Sequence, residues 1–392
     1  MGKTSTRQDL PLSGYADRLS ARPGESLDIK VSSLSQQPYQ ASLVRVRYAD
    51  PNPEGPGVKL ENIPSSWEGT YPSREQKFFP GSYGRVDSTG SLCRLEDFSA
   101  LITLWPTRPG SGEQTLISHQ DSTSGWSLFL DDEGCLAAEL GKAGDTRKFR
   151  LEGSLRERKW YQAWLTYDAQ TSKLTLGKAI LDPGLKSEDQ TGSSTDYAFE
   201  SVSQEIPFLI GAQFSGPIDS HFNGKLEEPK IFSRSLDQQE IEQAFSGKIP
   251  DGLLARWDFS REIPTSRMID LGPENLEGSL VNCPARGMTG SNWKGKEMCW
   301  RHAPEDYGAI HFHEDDIYDF GWETDFTIHL GEDLQSGIYA VKLECEGNED
   351  FIPLFILPAR GKRKADLCVL VSTFTYTVYG NHARPDFKDR WR

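Results

Sequence analysis

The chain has 392 residues, of which 36% are hydrophobic and 26% are charged, and its formal net charge is −15. This balance is typical of a globular protein of two or three domains and excludes a disordered chain. An acidic surface repels phosphate groups, which argues against a nucleic-acid partner, and no apolar run approaches the roughly 18 residues of a membrane span.

The N-terminal residues and the cysteines bear on location. The opening MGKTSTRQDLPLSGY lacks the apolar core of a secretion signal. The six cysteines are scattered and none forms a CxxC pair, which is typical of a protein kept in a reducing compartment. We therefore expect a cytoplasmic protein.

Two strands are predicted near the N-terminus. Residues 26–33 alternate apolar and polar side chains, as a half-buried strand does, and residues 41–50 repeat the pattern. The proline- and glycine-rich stretch 51–57 cannot continue the second strand, because proline has no N–H to donate to a ladder. The two strands predict that residues 1–90 begin an immunoglobulin-like β domain.

A denser run of strand patterns follows over residues 91–248. It opens with DFSALITLWP at 97–106, and two hairpin signals stand inside it, DDEG at 131–134 and DAQTSK at 168–173. Many short strands at this spacing predict a β-sandwich. The run ends in a short helix for which Ser235 is the expected N-cap.

Three strings in this run resemble a laminin-G/concanavalin-A-like jelly roll: KWYQAWLTYD, FNGKLEEPKIFSRSL and the helix DQQEIEQAF. The resemblance implies that calcium or sugar binding has to be considered. Asp131, Asp132 and Asn223 could serve a calcium ion, but no spacing selects them and turn chemistry accounts for them. Trp126 and Trp164 could stack on a sugar, but they alternate with apolar neighbours and are expected in the core.

The rest of the chain is assigned to two units. Residues 249–360 are expected to complete the N-terminal β domain, because the strands predicted within 336–358 could rejoin the sandwich begun at residue 26. The jelly roll is then an insertion. Residues 361–392 contain the apolar string DLCVLV at 366–371, which is typical of the first buried parallel strand of an α/β domain.

The string HFHEDD, which starts at His311, concentrates polar side chains. His311 and His313 are expected on one face of a strand, with Ile310 and Phe312 on the opposite, core face. Two imidazoles and the carboxylate of Asp315 could bind zinc or another divalent metal. We favour the alternative, a structural polar cluster followed by a solvated turn.

Polar residues follow the strand predicted for the last domain, and α/β domains bind ligands beyond the carboxyl ends of their strands. These residues are Ser372, Thr373, Thr375, Tyr376, Tyr379, Asn381 and His382. A tyrosine becomes a useful metal ligand when a ferric ion holds it as the phenolate, and the iron can then generate hydroxide from water.

The order of these parts resembles the large subunit of the N,N-dimethylformamidase family over nearly the whole chain. The likeness is carried by LSGYADRLSARPGESLDIKVSS, ARWDFS, YGAIHFHEDDIYDFGWETDF and SGIYAVKLECEG. It implies hydrolysis of small formamides and related amides, with a mononuclear iron held by two tyrosines and one glutamate in an α/β domain. It also implies a small partner subunit, and we expect a homo-oligomer as well.

The stretch FTYTVYGN matches the family pattern around the first iron-binding tyrosine. Thr375 fits the threonine and Tyr379 the ligand, whereas Tyr376 replaces a tryptophan and Gly380 stands in place of an asparagine. The departures put the shape of the substrate site in doubt. The remaining ligands are expected beyond Arg392, so the chain is interpreted as truncated within its catalytic domain and inactive alone. The alternative is a non-catalytic β-sandwich module that binds carbohydrate or protein.

Overall fold

The computed structural model describes residues 10–50, 54–203, 205–361 and 365–379, without the side chains of residues 377–379. The chain divides into two compact units. The split unit comprises residues 1–78 and 320–392, and the inserted unit comprises residues 79–319. Both are built mainly of β-strands, which confirms the predicted fold class.

The strands of the split unit that precede the insertion are β1 (Leu12–Ala16), β2 (Ser20–Ala21), β3 (Ser26–Ser33), β4 (Tyr39–Tyr48), β5 (Lys59–Ile63) and β6 (Gly69–Tyr71). The inserted unit contains β7 (Tyr83–Val86), β8 (Phe98–Pro106), β9 (Gln114–Gln120), β10 (Gly125–Leu130), β11 (Leu136–Lys142), β12 (Asp145–Arg150), β13 (Tyr161–Asp168), β14 (Lys173–Ile180), β15 (Gln190–Ser194), β16 (Phe208–Ile210), β17 (Gln213–Phe214), β18 (Ile218–Asp219), β19 (Gly224–Phe232), helix α1 (Gln238–Phe245), β20 (Leu253–Asp258), β21 (Arg267–Asp270), β22 (Gly278–Val281), β23 (Ala285–Met288) and β24 (Ala309–Phe312). The split unit resumes with β25 (Phe326–His329), β26 (Gly337–Cys345), β27 (Asn348–Ile356) and helix α2 (Thr373–Tyr379). Short 3₁₀ segments cover Gly90–Arg94, Pro183–Glu188 and Pro304–Tyr307.

Two sheets form the split unit. One has the order β1-β3-β25, and the other has the order β2-β27-β26-β4-β5, with β6 also paired to β4. The strands predicted at 26–33 and 41–50 are confirmed, but they lie in different sheets. Strands β26 and β27 form an antiparallel pair and β26 pairs with β4, so the prediction that residues 336–358 rejoin the first sandwich is confirmed. An immunoglobulin-like strand order stays a prediction.

One continuous path of hydrogen-bonded strands builds the inserted unit. Its order is β12-β11-β10-β9-β16-β7-β22-β21-β20-β19-β8-β13-β14-β15, and β24 adds to β19. The path folds over itself, because Phe98 of β8 stacks on Trp126 of β10 with ring centroids 4.8 Å apart. Both hairpin predictions are confirmed by the antiparallel pairs β10–β11 and β13–β14.

Helix α1 covers part of the outer face of the inserted sandwich. Its N-cap is Asp237, whose side chain accepts a hydrogen bond from the backbone N–H of Glu240, while the Glu240 carboxylate accepts from the N–H of Asp237. The expected cap, Ser235, was therefore wrong. Aspartate with a glutamate three residues later completes a reciprocal capping box, which the serine could not form.

The boundaries of the units differ from the expected ones. Residues 249–319, expected in the N-terminal β domain, lie in the inserted unit, because β20 pairs with β19 and β22 pairs with β7. Among the described residues, no helix is long and apolar enough to cross a membrane.

The strand expected at 366–371 is wrong. Residues 365–372 contain no strand, and Leu370 is 93% exposed. A buried parallel strand is satisfied by neighbours on both sides, and none of the described strands pairs with this segment. Of the polar residues expected after it, Thr373, Thr375, Tyr376 and Tyr379 lie in helix α2, which runs from Thr373 to Tyr379, whereas Asn381 and His382 lie outside the described residues.

Candidate functional site

The histidine pair lies on the outer face of a sheet in the inserted unit. Strand β24 pairs with β19, and Ile310 and Phe312 point into the core. His311 and His313 are half-buried on the opposite side, with ring centroids 4.1 Å apart. The prediction that both imidazoles share one face of a strand is confirmed.

Lys225 and two tryptophans surround His311. In the ladder, Lys225 of β19 pairs with Trp105 of β8 on one side and with His311 of β24 on the other. Lys225 is 8% exposed, and its Nζ lies 4.9 Å from the ring centroid of Trp105 and 5.9 Å from that of Trp160. The ammonium donates to the carbonyl and hydroxyl oxygens of Thr289, at 3.1 and 2.9 Å. Aromatic faces and neutral oxygens therefore hold this buried charge.

The two histidines have opposite electrostatic environments. Burial, with the charges of His313 and Lys225, lowers the pKa of His311 to about 4, so its imidazole is neutral at pH 7. The Nε2 atom of His311 is buried and has no hydrogen-bond partner among the described residues. The hydrogen bond that His313 donates to the Asp316 carboxylate raises the pKa of His313 above its ordinary value.

The carboxylate that meets the histidines is Asp316, not Asp315. Asp316 Oδ2 lies 3.2 Å from His313 Nδ1 and accepts a hydrogen bond from the Ser82 hydroxyl at 2.7 Å. Asp315 is exposed. The next carboxylate, Glu314, pairs with Arg108 at 2.8 Å. The sequence did not distinguish Asp316 from Asp315, because the contact depends on how the turn after β24 packs against the start of β7.

These contacts limit the chemistry of the cluster. The Ser82 hydroxyl donates to Asp316 and not to an imidazole nitrogen, so no histidine of the cluster activates this hydroxyl as a nucleophile. The described part of the chain contains no group of three or more His, Cys, Asp or Glu side chains placed to hold a metal ion. The structure thus brings His311, His313 and Asp316 together and leaves Asp315 exposed.

The residues considered for calcium serve turns and hydrogen bonds. Asp131 accepts from the backbone N–H groups of Glu133 and Cys135, as an aspartate in a hairpin turn does. Asp132 is exposed, and Asn223 is buried, where its side chain bonds Glu314. Turn and loop geometry accounts for these side chains.

The candidate iron ligand, Tyr379, lies at the C-terminal end of the described residues. Tyr379 is the last residue of helix α2, and its side chain lies outside the described residues, as do Gly380, Asn381 and His382.

Sequence reasoning missed the surroundings of the histidines. Lys225 alternates with the core residue Leu226 in β19, so its place on the outer face could have been read from the period of the strand. The position of Lys225 beside Trp160 could not be predicted from the sequence, because it depends on the path of the chain into β13.

Comparisons with known proteins match both units. A family described as "N,N-dimethylformamidase beta subunit-like, C-terminal" matches residues 285–391. The concanavalin A-like lectin/glucanases superfamily matches residues 80–242, which confirms the jelly-roll assignment. A sialidase carbohydrate-binding module of Ruminococcus gnavus is 17% identical with a TM-score of 0.35, covering 44% of this chain and 96% of its own, which is too distant to support an inference about ligands.

Two curated relatives match nearly the whole chain. The N,N-dimethylformamidase beta subunit of Paracoccus aminophilus is 37% identical over 398 residues, covering 94% of this chain and 52% of the relative. The protein of the same name from Alcaligenes sp is 35% identical over 401 residues, covering 95% of this chain and 52% of the relative. The chain thus spans about half the length of the curated relatives it matches.

Proposed function

Because the chain belongs to the N,N-dimethylformamidase beta-subunit family, we propose that it supplies the β-sandwich part of an enzyme that hydrolyses small formamides and related amides. The observation that carries the proposal is the 37% identity over 94% of the chain, which includes both the split unit and the inserted unit. The name of the relatives supplies the substrate class.

The chemistry is assigned to a part of the enzyme that these 392 residues do not complete. No three or more His, Cys, Asp or Glu side chains among the described residues are placed to hold a metal ion, and the chain spans about half of each relative. We assign the iron to Tyr379 together with protein outside the span of this chain. The 392 residues alone are then expected to show no hydrolysis.

The proposal includes partners and a location. The relatives are named as beta subunits, which supports assembly with a second kind of subunit. A small partner subunit and self-association are part of the proposal. The six cysteines are free, which agrees with a cytoplasmic site of action.

The test is dimethylamine release from N,N-dimethylformamide by a polypeptide in which this chain is extended to the length of the relatives. We expect turnover and bound iron, with both lost in Tyr379→Phe. Tyr376→Phe, in the same helix, is the matched control and is expected to keep both.

Equal iron content in the two variants would remove Tyr379 as a ligand. Absence of dimethylamine release from the extended protein, with its partner subunit present, would favour the alternative of a non-catalytic binding module.

A further inference from the structure

A long loop on the inserted unit exposes apolar side chains. Residues 289–303 connect β23 to the 3₁₀ segment Pro304–Tyr307 and contain neither helix nor strand. Within this loop, Met298 is 77% exposed and Trp293 is 38% exposed. Loops of more than about 12–15 residues without secondary structure are uncommon in compact domains, and they usually carry a function.

Hydrogen bonds within the inserted unit hold the loop in place. The backbone carbonyl of Glu297 accepts from the indole Nε1 of Trp293 at 3.3 Å and from the Tyr307 hydroxyl at 2.7 Å. The Glu297 carboxylate accepts from the backbone N–H groups of Met298 and Cys299, both at 2.9 Å. The indole of Trp293 and the backbone of Met298 are therefore fixed in advance, and a partner that covers them loses little affinity to ordering.

The loop has the composition of a protein interface. The guanidinium of Arg301 lies over the ring of Trp300, with its Cζ 4.4 Å from the ring centroid. Lys294 and Lys296 are exposed, and neither forms a salt bridge to a described residue. Tryptophan, methionine and arginine are enriched at protein interfaces. The loop therefore fits a protein partner.

The family match indicates which protein covers the loop. The match to the concanavalin A-like superfamily ends at residue 242, whereas the match to the dimethylformamidase C-terminal family begins at residue 285 and contains the loop. The loop thus lies on the inserted unit, but its sequence belongs to the part that the family has in addition to the jelly roll. This chain covers 52% of each curated relative, so the relatives contain further protein that the loop could contact.

The size of the loop favours a partner in the same polypeptide. Stable complexes of separate proteins bury roughly 1,200–2,000 Å² of surface, which is large for one loop. A partner linked covalently needs less surface, because the link raises its effective concentration to about the millimolar range. A second copy of the chain or a separate subunit has no such advantage.

We propose that residues 289–303 form the surface on which the inserted unit docks the part of the family's polypeptide that lies outside this chain. This assignment rests on the proposed function, in which that part completes the enzyme. The docked face is apolar where it covers Trp293 and Met298, and it carries carboxylates where it meets Lys294 and Lys296.

Footprinting of the 392-residue chain and of the same chain extended to the length of its relatives tests the proposal. Hydrogen peroxide oxidises Met298 and an acetylating reagent labels Lys296, and peptide mass spectrometry measures both rates. In the extended chain both rates are expected to fall at least roughly 10-fold, which corresponds to a docked state favoured by about 1.4 kcal/mol. The internal controls are Met268, which is 0% exposed, and Lys173, which is exposed at the start of β14, and their rates are expected to stay the same.

A substitution in the loop tests the apolar contact itself. Trp293→Asp places a carboxylate at the contact, and in the extended chain it is expected to restore the acetylation rate of Lys296 to that of the 392-residue chain. Leu271→Asp is the matched control, since Leu271 is 43% exposed in the same unit, and it is expected to leave Lys296 protected. The footprint of the unaltered chains needs no substitution, so the test does not depend on the folding of either variant.

Equal rates for Met298 and Lys296 in the two unaltered chains would overturn the proposal, even if the extended chain releases dimethylamine. Protection without dimethylamine release would support the docking surface and would count against the proposed function alone. Protection of the 392-residue chain that increases with its concentration would assign the loop to a second copy. Protection of the extended chain only after a partner subunit is added would assign the loop to that subunit, and either of these last two results overturns the proposal.

Discussion

Arg286 donates to five backbone carbonyl oxygens of one loop, so its replacement is expected to destabilise the inserted unit. The guanidinium, carried by β23, donates to the carbonyl oxygens of Phe259, Arg261, Glu262, Thr265 and Arg267 at 2.7–3.1 Å. It thereby fixes the whole loop from the end of β20 to the start of β21. Methionine keeps the length of the side chain and removes every donor.

The expected cost of Arg286→Met follows from those five acceptors. A hydrogen bond from a charged donor contributes about 1.5–3 kcal/mol, and acceptors left without a partner cost more when water cannot reach them. Because the loop is partly solvated, most of the freed carbonyls regain water. We expect a loss of about 2–4 kcal/mol in the free energy of unfolding, measured in urea through tryptophan fluorescence.

Arg267→Met is the matched control for this prediction. Arg267 pairs with Glu262 and Glu277 on the surface and is half exposed, and solvent screening leaves such pairs little effect on stability. Arg286→Lys is expected to recover little, because an ammonium has three donors and no planar fork. If Arg286→Met costs no more than Arg267→Met, the account of this loop is refuted.

Three further changes test single contacts. Asp316→Asn removes the partner that raises the pKa of His313, so an NMR titration should show that this pKa falls, and an unchanged titration would contradict the pairing. In the wild-type protein the pair contributes its full stability to the folded state at pH below about 6.5, and this stability is lost as the pH rises through the pKa of His313 in the folded state. Leu343 is 0% exposed, and Leu343→Ala should lower the free energy of unfolding by about 2–5 kcal/mol. Leu370 is 93% exposed, and Leu370→Ala should lower it by less than about 0.5 kcal/mol, so similar losses in the two variants would refute the exposure of residues 366–371. Asp237→Ala removes the capping box of α1 and should lower the free energy of unfolding by about 1 kcal/mol. An unchanged thermal unfolding transition in calorimetry would contradict this.

The strands were predictable because their side chains alternate. In β3 every second residue is buried, and the hairpins at 131–134 and 168–173 carry turn residues where the chain reverses. The sequence predicted that residues 336–358 return to the unit of β3 and β4, but not that β3 pairs with β25 in one sheet while β4 pairs with β26 in the other. Alternation in the local sequence predicts a strand but does not identify the distant strand with which it pairs.

The apolar string at 366–371 shows the limit of composition. Its residues have the pattern of a buried parallel strand, but burial also requires neighbouring strands, and the described chain provides none there. The histidine site shows the same limit at smaller scale. The shared face of His311 and His313 follows from the period of two, whereas the choice of Asp316 over Asp315 follows from the contact of a turn with Ser82.

The most direct test of the account measures dimethylamine released from N,N-dimethylformamide in two samples. One sample is the 392-residue chain, and the other is the same chain extended to the length of its relatives and purified with its partner subunit. The account predicts no release from the first and iron-dependent release from the second. Sustained turnover by the 392 residues alone would contradict the assignment of the chemistry to protein outside this chain.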